Sequence, residues 1–127
     1  MRQYSSILST TASVAALLGS LMLAPTMATA AEEAKALSVV DEGKLLAFDN
    51  KKGNCLACHQ IAGGELAGDI GPPLVGMQAR FPDKTKLRAQ VWDPTKINPN
   101  SMMPPFGRHK VLTEDEIDKV VEYIYSL

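Results

Sequence analysis

Two cysteines and a histidine stand together in Cys55-Leu56-Ala57-Cys58-His59, and their order suits covalent attachment of one haem. Thiols three residues apart lie within one helical turn, so both can add to the vinyl groups of a single porphyrin. The histidine that follows can turn its imidazole toward the iron. Because Cys-x-x-Cys-His is typical of c-type haem attachment, the pentapeptide predicts one haem c, covalently bound through Cys55 and Cys58.

His59 is the predicted axial ligand on one side of this haem, through its Nε2 atom. The other ring nitrogen then needs an acceptor that fixes the tautomer and the orientation of the ring. The candidate acceptor is the backbone carbonyl of Pro72, within the segment Gly71-Pro72-Pro73-Leu74. Pro72 is therefore included among the residues expected to form the cofactor site.

The sixth iron ligand has four candidates, which are Met77, Met102, Met103 and His109. Met103 is favoured because two prolines follow it directly, restrict its backbone and stiffen the segment that carries its sulfur. His109 stands between two basic residues and is expected to face solvent. A thioether opposite an imidazole raises the reduction potential of the iron, and two filled axial positions suit one-electron transfer.

Zinc is the alternative use of the same cysteines, with the two histidines of the chain completing the ligand set. His59 adjoins Cys58 and would have to fold back onto the same metal, whereas zinc histidines follow other spacings. A disulfide between Cys55 and Cys58 would close a very small loop and stabilise little. The spacing therefore favours haem over both alternatives.

The first 30 residues have the features of an export signal. Arg2 is the only charged residue before Glu32, an apolar run covers residues 14–23, and Ala28-Thr29-Ala30 follows as a cleavage site. A membrane anchor is the alternative, but a bilayer span needs about 20 apolar residues and this run is roughly half as long. We expect cleavage before Ala31, a periplasmic location, and one domain over residues 31–127 that no longer contacts the membrane.

The charge of the remaining chain gives no support to nucleic-acid binding. Loss of Arg2 leaves 12 basic and 14 acidic side chains, without the concentrated basic patch that nucleic-acid-binding proteins usually carry. Five basic residues outside the haem motif are expected to be solvated and to have no role: Lys51, Lys52, Arg80, Lys84 and Lys86.

Three helices are predicted, and no strand pattern persists. The first begins at Ser38, with an apolar face formed by Val39, Val40, Leu45, Leu46 and Phe48. The second covers residues 82–92 and ends at Asp93-Pro94. The third follows a capping box of Thr113 and Glu116, and its buried face consists of Ile117, Val120, Val121 and Ile124.

Long irregular segments join these helices. A turn is predicted over residues 49–54, a glycine-rich segment over 61–76 and a proline-stiffened loop over 98–107. Phe106, in that last loop, is expected to lie at a protein interface. Trp92 is expected to pack against the haem edge or the helices, with a partner contact as the alternative. The predicted fold is all-α, with helices wrapped around one covalently bound haem.

Four motifs follow one another along the chain: a helix with a glycine and an aromatic residue, Cys55-x-x-Cys58-His59, Gly71-Pro72-x-Leu74 and Met103-Pro104. In this order they resemble the class I cytochrome c family. The resemblance covers residues 38–127 and implies its fold, with His59 and Met103 as the iron ligands. The interval between Phe48 and Cys55 is longer than in the simplest members.

A closer resemblance rests on the segments around Val91-Trp92-Asp93, Asn98-Pro99-Asn100 and residues 103–109. They look like the SoxX family, the monohaem subunits of periplasmic SoxAX cytochromes. This implies a heterodimer with a SoxA-like subunit that oxidatively couples thiosulfate to a cysteine of a SoxYZ carrier, with electrons leaving to a downstream cytochrome.

In such a complex the SoxA-like subunit carries out the sulfur chemistry and the SoxX-like subunit transfers electrons. The cysteine count of this chain agrees with the second role. It has no third cysteine that could hold a sulfur intermediate, so it is not expected to be a complete L-cysteine S-thiosulfotransferase or to carry catalytic residues. A stand-alone soluble electron shuttle, without an enzymatic partner, is the alternative function and would use the same haem and ligands.

Overall fold

The computed structural model describes residues 36–127, so the predicted export signal and its cleavage site lie outside the described residues. Four α-helices follow in order: α1 (Val39–Phe48), α2 (Met77–Arg80), α3 (Lys84–Trp92) and α4 (Glu114–Tyr125). Two short 3-10 helices lie at Cys55–Ala57 and Pro94–Lys96. Residues 36–127 contain no strand, which confirms the all-α prediction, and no helix among them could cross a membrane.

Helices α1 and α4 form the closest helix pair. A Cβ atom placed on Gly43 would lie 1.9 Å from the carbonyl oxygen of Lys119, so only glycine permits this approach. The rings of Phe48 and Tyr123 meet edge to face, with centroids 6.0 Å apart. The two helices therefore pack backbone against backbone near the middle of each helix, and ring against ring at Phe48 and Tyr123.

This close crossing overturns part of the apolar face predicted for α1. Val39 is 51% exposed and Leu45 is 60% exposed, while the residues buried in α1 are Gly43 and Ala47. Small residues reach the interface because α4 comes too close for larger side chains. Leu46 and Phe48 still pack against the core, as predicted.

The ends of α1 and α4 confirm the capping predictions. The Ser38 hydroxyl accepts the backbone N–H of Asp41 at 3.1 Å. In α4, Thr113 Oγ1 accepts the N–H of Glu116 at 3.2 Å, and the Glu116 carboxylate accepts the N–H of Thr113 at 2.9 Å. The predicted apolar face of α4 is buried, and Tyr123 is buried beside it.

Helix α3 begins two residues later than predicted. Asp83 caps it by accepting the N–H of Thr85 at 3.0 Å, and α3 ends at Trp92 before Asp93-Pro94 as expected. Helix α2 was not predicted from the sequence. Its first N–H, on Met77, donates to the carbonyl of Leu127 at 3.0 Å, which places α2 against the end of the chain.

Two lysines expected to be solvated form ion pairs with α4. Lys52 Nζ lies 2.7 Å from a carboxylate oxygen of Glu116, and Lys84 Nζ lies 2.8 Å from one of Glu122. Arg88 of α3 also reaches Glu114 and Asp118. The acidic residues of α4 thus join this helix to α3 and to the turn before the haem motif.

Candidate haem site

The Cys-x-x-Cys-His motif forms a tight turn rather than a long helix. Residues 55–57 are a 3-10 helix, and the N–H groups of Cys58 and His59 both donate to the carbonyl of Cys55, at 3.2 and 2.9 Å. Asn54 enters this turn with a φ of 47°. The turn brings the two cysteines and the imidazole to one side of the chain, where all three line a single cavity.

The two cysteines are unpaired and partly buried. Burial is the main cause that raises the pKa of the Cys55 thiol to about 11, since the charged thiolate is poorly solvated there. Cys55 therefore remains a protonated thiol at neutral pH in the folded chain. Both unpaired cysteines line the cavity and are therefore placed for covalent attachment to a group bound in it.

The His59 ring is held from two sides. Its Nδ1 lies 2.7 Å from the carbonyl oxygen of Pro72, and with Nδ1 as the donor the Nε2 lone pair is available for a metal. A Cβ atom on Gly71 would lie 2.4 Å from Cε1 and 2.6 Å from Nδ1 of the same ring. Gly71 thus leaves just enough room for the imidazole, a requirement that the ligand argument from sequence did not detect.

The cavity has a volume of about 790 Å³, within the range expected for a cofactor site. Its apolar lining includes Leu74, Met77, Phe81, Leu87, Val91, Phe106, Leu112, Val120 and Ile124. Its polar lining consists of Asn50, Lys51, Lys52, Asn54, Arg80, Gln90, Asn98, Asn100 and Ser101. An apolar interior with thiols, an imidazole and a thioether on its walls fits a haem, and the polar residues can solvate its carboxylates.

The candidates for the sixth ligand differ in their placement. Met77, Met102 and Met103 line the cavity, whereas His109 is exposed and does not. Met102 is 77% exposed. The sulfur of Met77 already accepts an N–H of Arg80 at 3.4 Å, so Met103, half-buried and without such a donor in residues 36–127, is the best placed.

Met103 lies in the methionine loop, which we define as residues 98–108. Asn98 Oδ1 accepts the N–H of Asn100 at 3.1 Å, and the Asn98 carbonyl accepts that of Ser101 at 2.9 Å. Ser101 Oγ then accepts the N–H of Met103 at 3.2 Å. These local hydrogen bonds position the methionine backbone, and the Asn-x-Asn-Ser pattern was the signal in the sequence that could have predicted them.

Two further residues, Phe106 and Arg80, lie elsewhere than expected, whereas Trp92 packs against the core as predicted. Phe106 is only 7% exposed and belongs to the core, so the prediction of an interface position was wrong. Arg80 has a structural contact, because its Nη1 donates to the carbonyl of Pro73 at 2.7 Å, next to the residue that holds His59. Trp92 is half-buried and packs against the backbone of Gly107.

Other parts of the described surface do not offer comparable chemistry. A second depression of about 420 Å³ is lined mainly by apolar residues from 60–67 and 73–75, with Leu127, and carries no titratable side chain. Among residues 36–127, no group of three or more His, Cys, Asp or Glu side chains is placed to hold a metal ion. The zinc alternative therefore lacks a ligand set in that part of the chain.

Known proteins match the part of the chain that forms this site. Residues 40–127 match the family described as Cytochrome c. An uncharacterized lipoprotein from Aquifex aeolicus (strain VF5) is 37% identical over 78 residues, which are 61% of this chain and 38% of that protein. The chain thus spans well under two thirds of that relative.

A solved structure also matches. It is the crystal structure of SoxXA from P. pantotrophus, with a TM-score of 0.61 and 28% sequence identity over 68% of this chain and 79% of that one. The family match extends over the Cys55–Ala57 turn, the helices that line the cavity and the methionine loop.

Proposed function

The chain belongs to the cytochrome c family, and on that premise we propose that it is the electron-transferring subunit of a periplasmic SoxAX-type complex. The observation that carries the proposal is the likeness to SoxXA at 28% identity, over a fold whose main cavity holds the predicted haem residues. The family match and this likeness confirm the prediction of a SoxX-like class I cytochrome c. They also confirm one c-type haem, bound through Cys55 and Cys58.

Within the site, we propose that His59 and Met103 supply the two axial ligands of the iron. Bound between an imidazole and a thioether, a haem iron exchanges one electron without either ligand leaving. Pro72 holds the Nδ1 proton of His59 and so fixes the ring that presents Nε2. The apolar residues of α3 and α4 exclude water from the cavity and favour the less charged, reduced state.

Comparison of Met103→Ala with Met102→Ala tests the axial assignment, because the two methionines are neighbours with different placement. Met103→Ala should lose the long-wavelength sulfur-to-iron absorption band of the ferric protein and lower its reduction potential. Met102→Ala should keep both, since Met102 is largely exposed. Persistence of the band in Met103→Ala would remove Met103 as the ligand.

The reaction that the chain would serve is the oxidative coupling of thiosulfate to a cysteine of a SoxYZ-type carrier, which releases two electrons. We propose that a SoxA-like subunit carries out the sulfur chemistry and that this chain accepts the electrons singly and passes them to a downstream cytochrome. The only cysteines of the chain, Cys55 and Cys58, are taken by haem attachment. The chain alone would therefore not be a complete enzyme.

Co-expression with the SoxA-like subunit of the same genome tests this proposal. We expect one stable heterodimer in gel filtration, and reduction of its haem on addition of thiosulfate and the carrier. A carrier whose reactive cysteine is replaced by serine is the control and should give no reduction. A chain that stays monomeric beside the SoxA-like subunit would contradict the proposal and favour the stand-alone shuttle.

Export is proposed on the sequence of the first 30 residues. A c-type haem is normally attached outside the cytoplasm, and cleavage before Ala31 would leave a chain that matches the family over almost its whole length. The mass of the intact protein purified from periplasm should equal residues 31–127 plus one haem. A mass that retains the first 30 residues would contradict cleavage.

A further inference from the structure

Asp93 is unusual because it is a charged residue in the interior. It is 2% exposed and is the one buried charged side chain among residues 36–127. Its Oδ1 accepts both the N–H and the hydroxyl of Thr95, at 3.1 and 2.5 Å. It thus ends α3 and begins the 3-10 helix Pro94–Lys96. A buried carboxylate is costly unless paired, so its second oxygen calls for a cationic partner.

That partner comes from the end of the methionine loop. Arg108 Nη1 lies 3.5 Å from Asp93 Oδ2. The backbone reinforces the contact, because the N–H groups of Gly107 and Arg108 both donate to the carbonyl of Trp92, at 3.1 and 3.4 Å. The indole of Trp92 also covers Gly107, where a Cβ atom would come within 2.0 Å of the ring. Trp92 and Asp93 therefore hold both residues of the loop end.

A short and stiff segment of the chain joins the contact between Asp93 and Arg108 to Met103. Pro104 and Pro105 separate Met103 from Phe106, and each proline fixes its own φ. Phe106, which follows them, is buried in the core. A stiff, short connection between Met103 and the held residues means that displacement at Arg108 moves the methionine rather than being absorbed by the chain.

The other end of the loop is less firmly held. The N–H of Asn98 donates to the carbonyl of Pro94 at 2.9 Å, the other hydrogen bonds lie within residues 98–103, and both Asn98 and Asn100 are exposed to water. Water competes for exposed hydrogen bonds, so they restrain the loop less than the buried side chains of Asp93 and Phe106 do. Three features of the loop end thus restrain Met103 most: the ion pair with Asp93, the backbone hydrogen bonds to Trp92 and the burial of Phe106.

We propose that Asp93 and Arg108 form a latch that keeps Met103 on the iron, so that Asp93 sets how readily the sixth coordination position opens. Asp93 is a positioning residue, since it acts through Arg108 and the loop and touches neither ligand. The inference rests on the proposed function through its assignment of Met103 as an axial ligand.

Imidazole binding to the ferric holoprotein tests the latch, because an external ligand binds only to the fraction of molecules from which Met103 has dissociated. In Asp93→Asn the side-chain oxygen can still accept from Thr95, but the charge that holds Arg108 is gone. We expect its apparent imidazole affinity to rise about tenfold. Arg108→Gln changes an exposed side chain, so it should fold normally and give the same direction of change.

Asp83→Asn is a matched control. Asp83 accepts the N–H and the hydroxyl of Thr85 at 3.0 and 2.6 Å, in the same Asp-x-Thr arrangement as Asp93 and Thr95. Asp83 is exposed and lies at the other end of α3, so its substitution should leave imidazole affinity unchanged. The double variant Asp93→Asn/Arg108→Gln should bind imidazole no more tightly than the stronger single variant.

The results separate the latch from the axial assignment. Wild-type protein that lacks the sulfur-to-iron band would overturn both. A second result is that the wild-type protein shows the band while Asp93→Asn and Arg108→Gln bind imidazole within twofold of its affinity. That result would overturn the latch alone. An equal rise in affinity in Asp83→Asn would show that general destabilisation is the cause, and would also overturn it.

Discussion

Single residues around His59 determine how the imidazole is presented. Pro72 accepts from Nδ1 at 2.7 Å, and Gly71 leaves no space for a side chain beside the ring. The N–H of Gly71 also donates to the carbonyl of Cys58 at 2.7 Å, which ties the segment to the haem motif. The orientation of the imidazole therefore depends on two residues, Gly71 and Pro72, that are neighbours in the chain.

Gly71→Ala should displace the His59 ring, since its Cβ atom would lie 2.4 Å from Cε1. We expect loss of the hydrogen bond to Pro72 and a decrease of about tenfold or more in the affinity of iron for the imidazole, as for other residues that orient ligands. Absorption and resonance Raman spectra of the ferric protein measure the ligand state.

Gly76→Ala is the control for this variant. Nothing lies within 4 Å of a Cβ atom at Gly76, but its φ of +59° makes alanine strained, at a cost of about 1 kcal/mol. It should lower the free energy of unfolding without changing the spectra. Identical spectra for Gly71→Ala and wild type would contradict the role given to Gly71.

Among the elements, α4 makes the largest number of connections. It crosses α1 at Gly43, lines the cavity with Val120 and Ile124, and joins α3 and the turn before the haem motif through its carboxylates. Its capping box fixes its first turn. A change in α4 is therefore expected to affect stability and the cavity together.

Glu116→Gln should destabilise the protein in a pH-dependent way. Glutamine can keep the capping box but loses the ion pair with Lys52, which is the main cause that lowers the pKa of the Glu116 carboxyl. The pKa of Glu116 in the folded protein lies below its ordinary value of 4.5. The ion pair therefore stabilises the protein fully above pH 4.5, and this stabilisation is lost as the pH falls through the lowered pKa. We expect a loss of about 0.5 kcal/mol at neutral pH.

Guanidinium unfolding at pH 7 and at about pH 3 measures this difference, which should shrink at the lower pH. Glu122→Gln is the control, because it breaks the more exposed ion pair with Lys84 and should cost less at pH 7. An equal loss at both values of pH for Glu116→Gln would show that the charge of Glu116 is not responsible.

Tyr123 has a buried hydroxyl group with no hydrogen-bond partner in residues 36–127. Burial raises the pKa of this phenol, while its ring packs against Phe48. Because an unpartnered buried hydroxyl costs free energy, Tyr123→Phe should leave the free energy of unfolding unchanged or raise it by about 1 kcal/mol. Guanidinium unfolding followed by haem absorption measures this change.

Tyr125→Phe is the comparison for that experiment. Tyr125 is half-buried, and it lacks the buried, unpartnered hydroxyl group that Tyr123 has. It should change stability by less than about 0.5 kcal/mol. A loss of more than about 1 kcal/mol in Tyr123→Phe would mean that its hydroxyl has a partner, such as a buried water molecule.

At the scale of the whole molecule, the haem cavity and the core are the same region. Seven buried residues of the core also line the cavity: Met77, Leu87, Val91, Phe106, Leu112, Val120 and Ile124. A cavity of about 790 Å³ is large for so small a domain. The bound haem is therefore expected to be part of the hydrophobic core.

A Cys55→Ala/Cys58→Ala variant should consequently lack a stable fold. Without the haem, the apolar core residues that line the cavity would be exposed to water, and a domain is usually stabilised by only about 5–15 kcal/mol. We expect weak helical circular dichroism and no cooperative thermal transition, in contrast to the wild-type holoprotein. A cooperative transition in the double variant would contradict this role of the haem.

Local patterns in the sequence predicted the haem turn, the His59–Pro72 pairing and the capping box of α4. The haem motif and the capping box have fixed local spacing, which restricts their geometry, whereas Pro72 was proposed as the acceptor for His59 from a segment 13 residues away. The order of the motifs also predicted the all-α family. The exposed Val39 and Leu45 show where periodicity failed, because the approach of α4 decides which face of α1 is buried.

The sequence by itself thus determined the cofactor, its points of attachment and the helices around it. Only the tertiary structure decided that Phe106 is buried, that Lys52 meets Glu116 64 residues later, that Gly71 lies against the His59 ring, and that Asp93 meets Arg108. The physical reason is that these contacts join segments distant in the chain, and neither residue type nor spacing specifies which segments will meet.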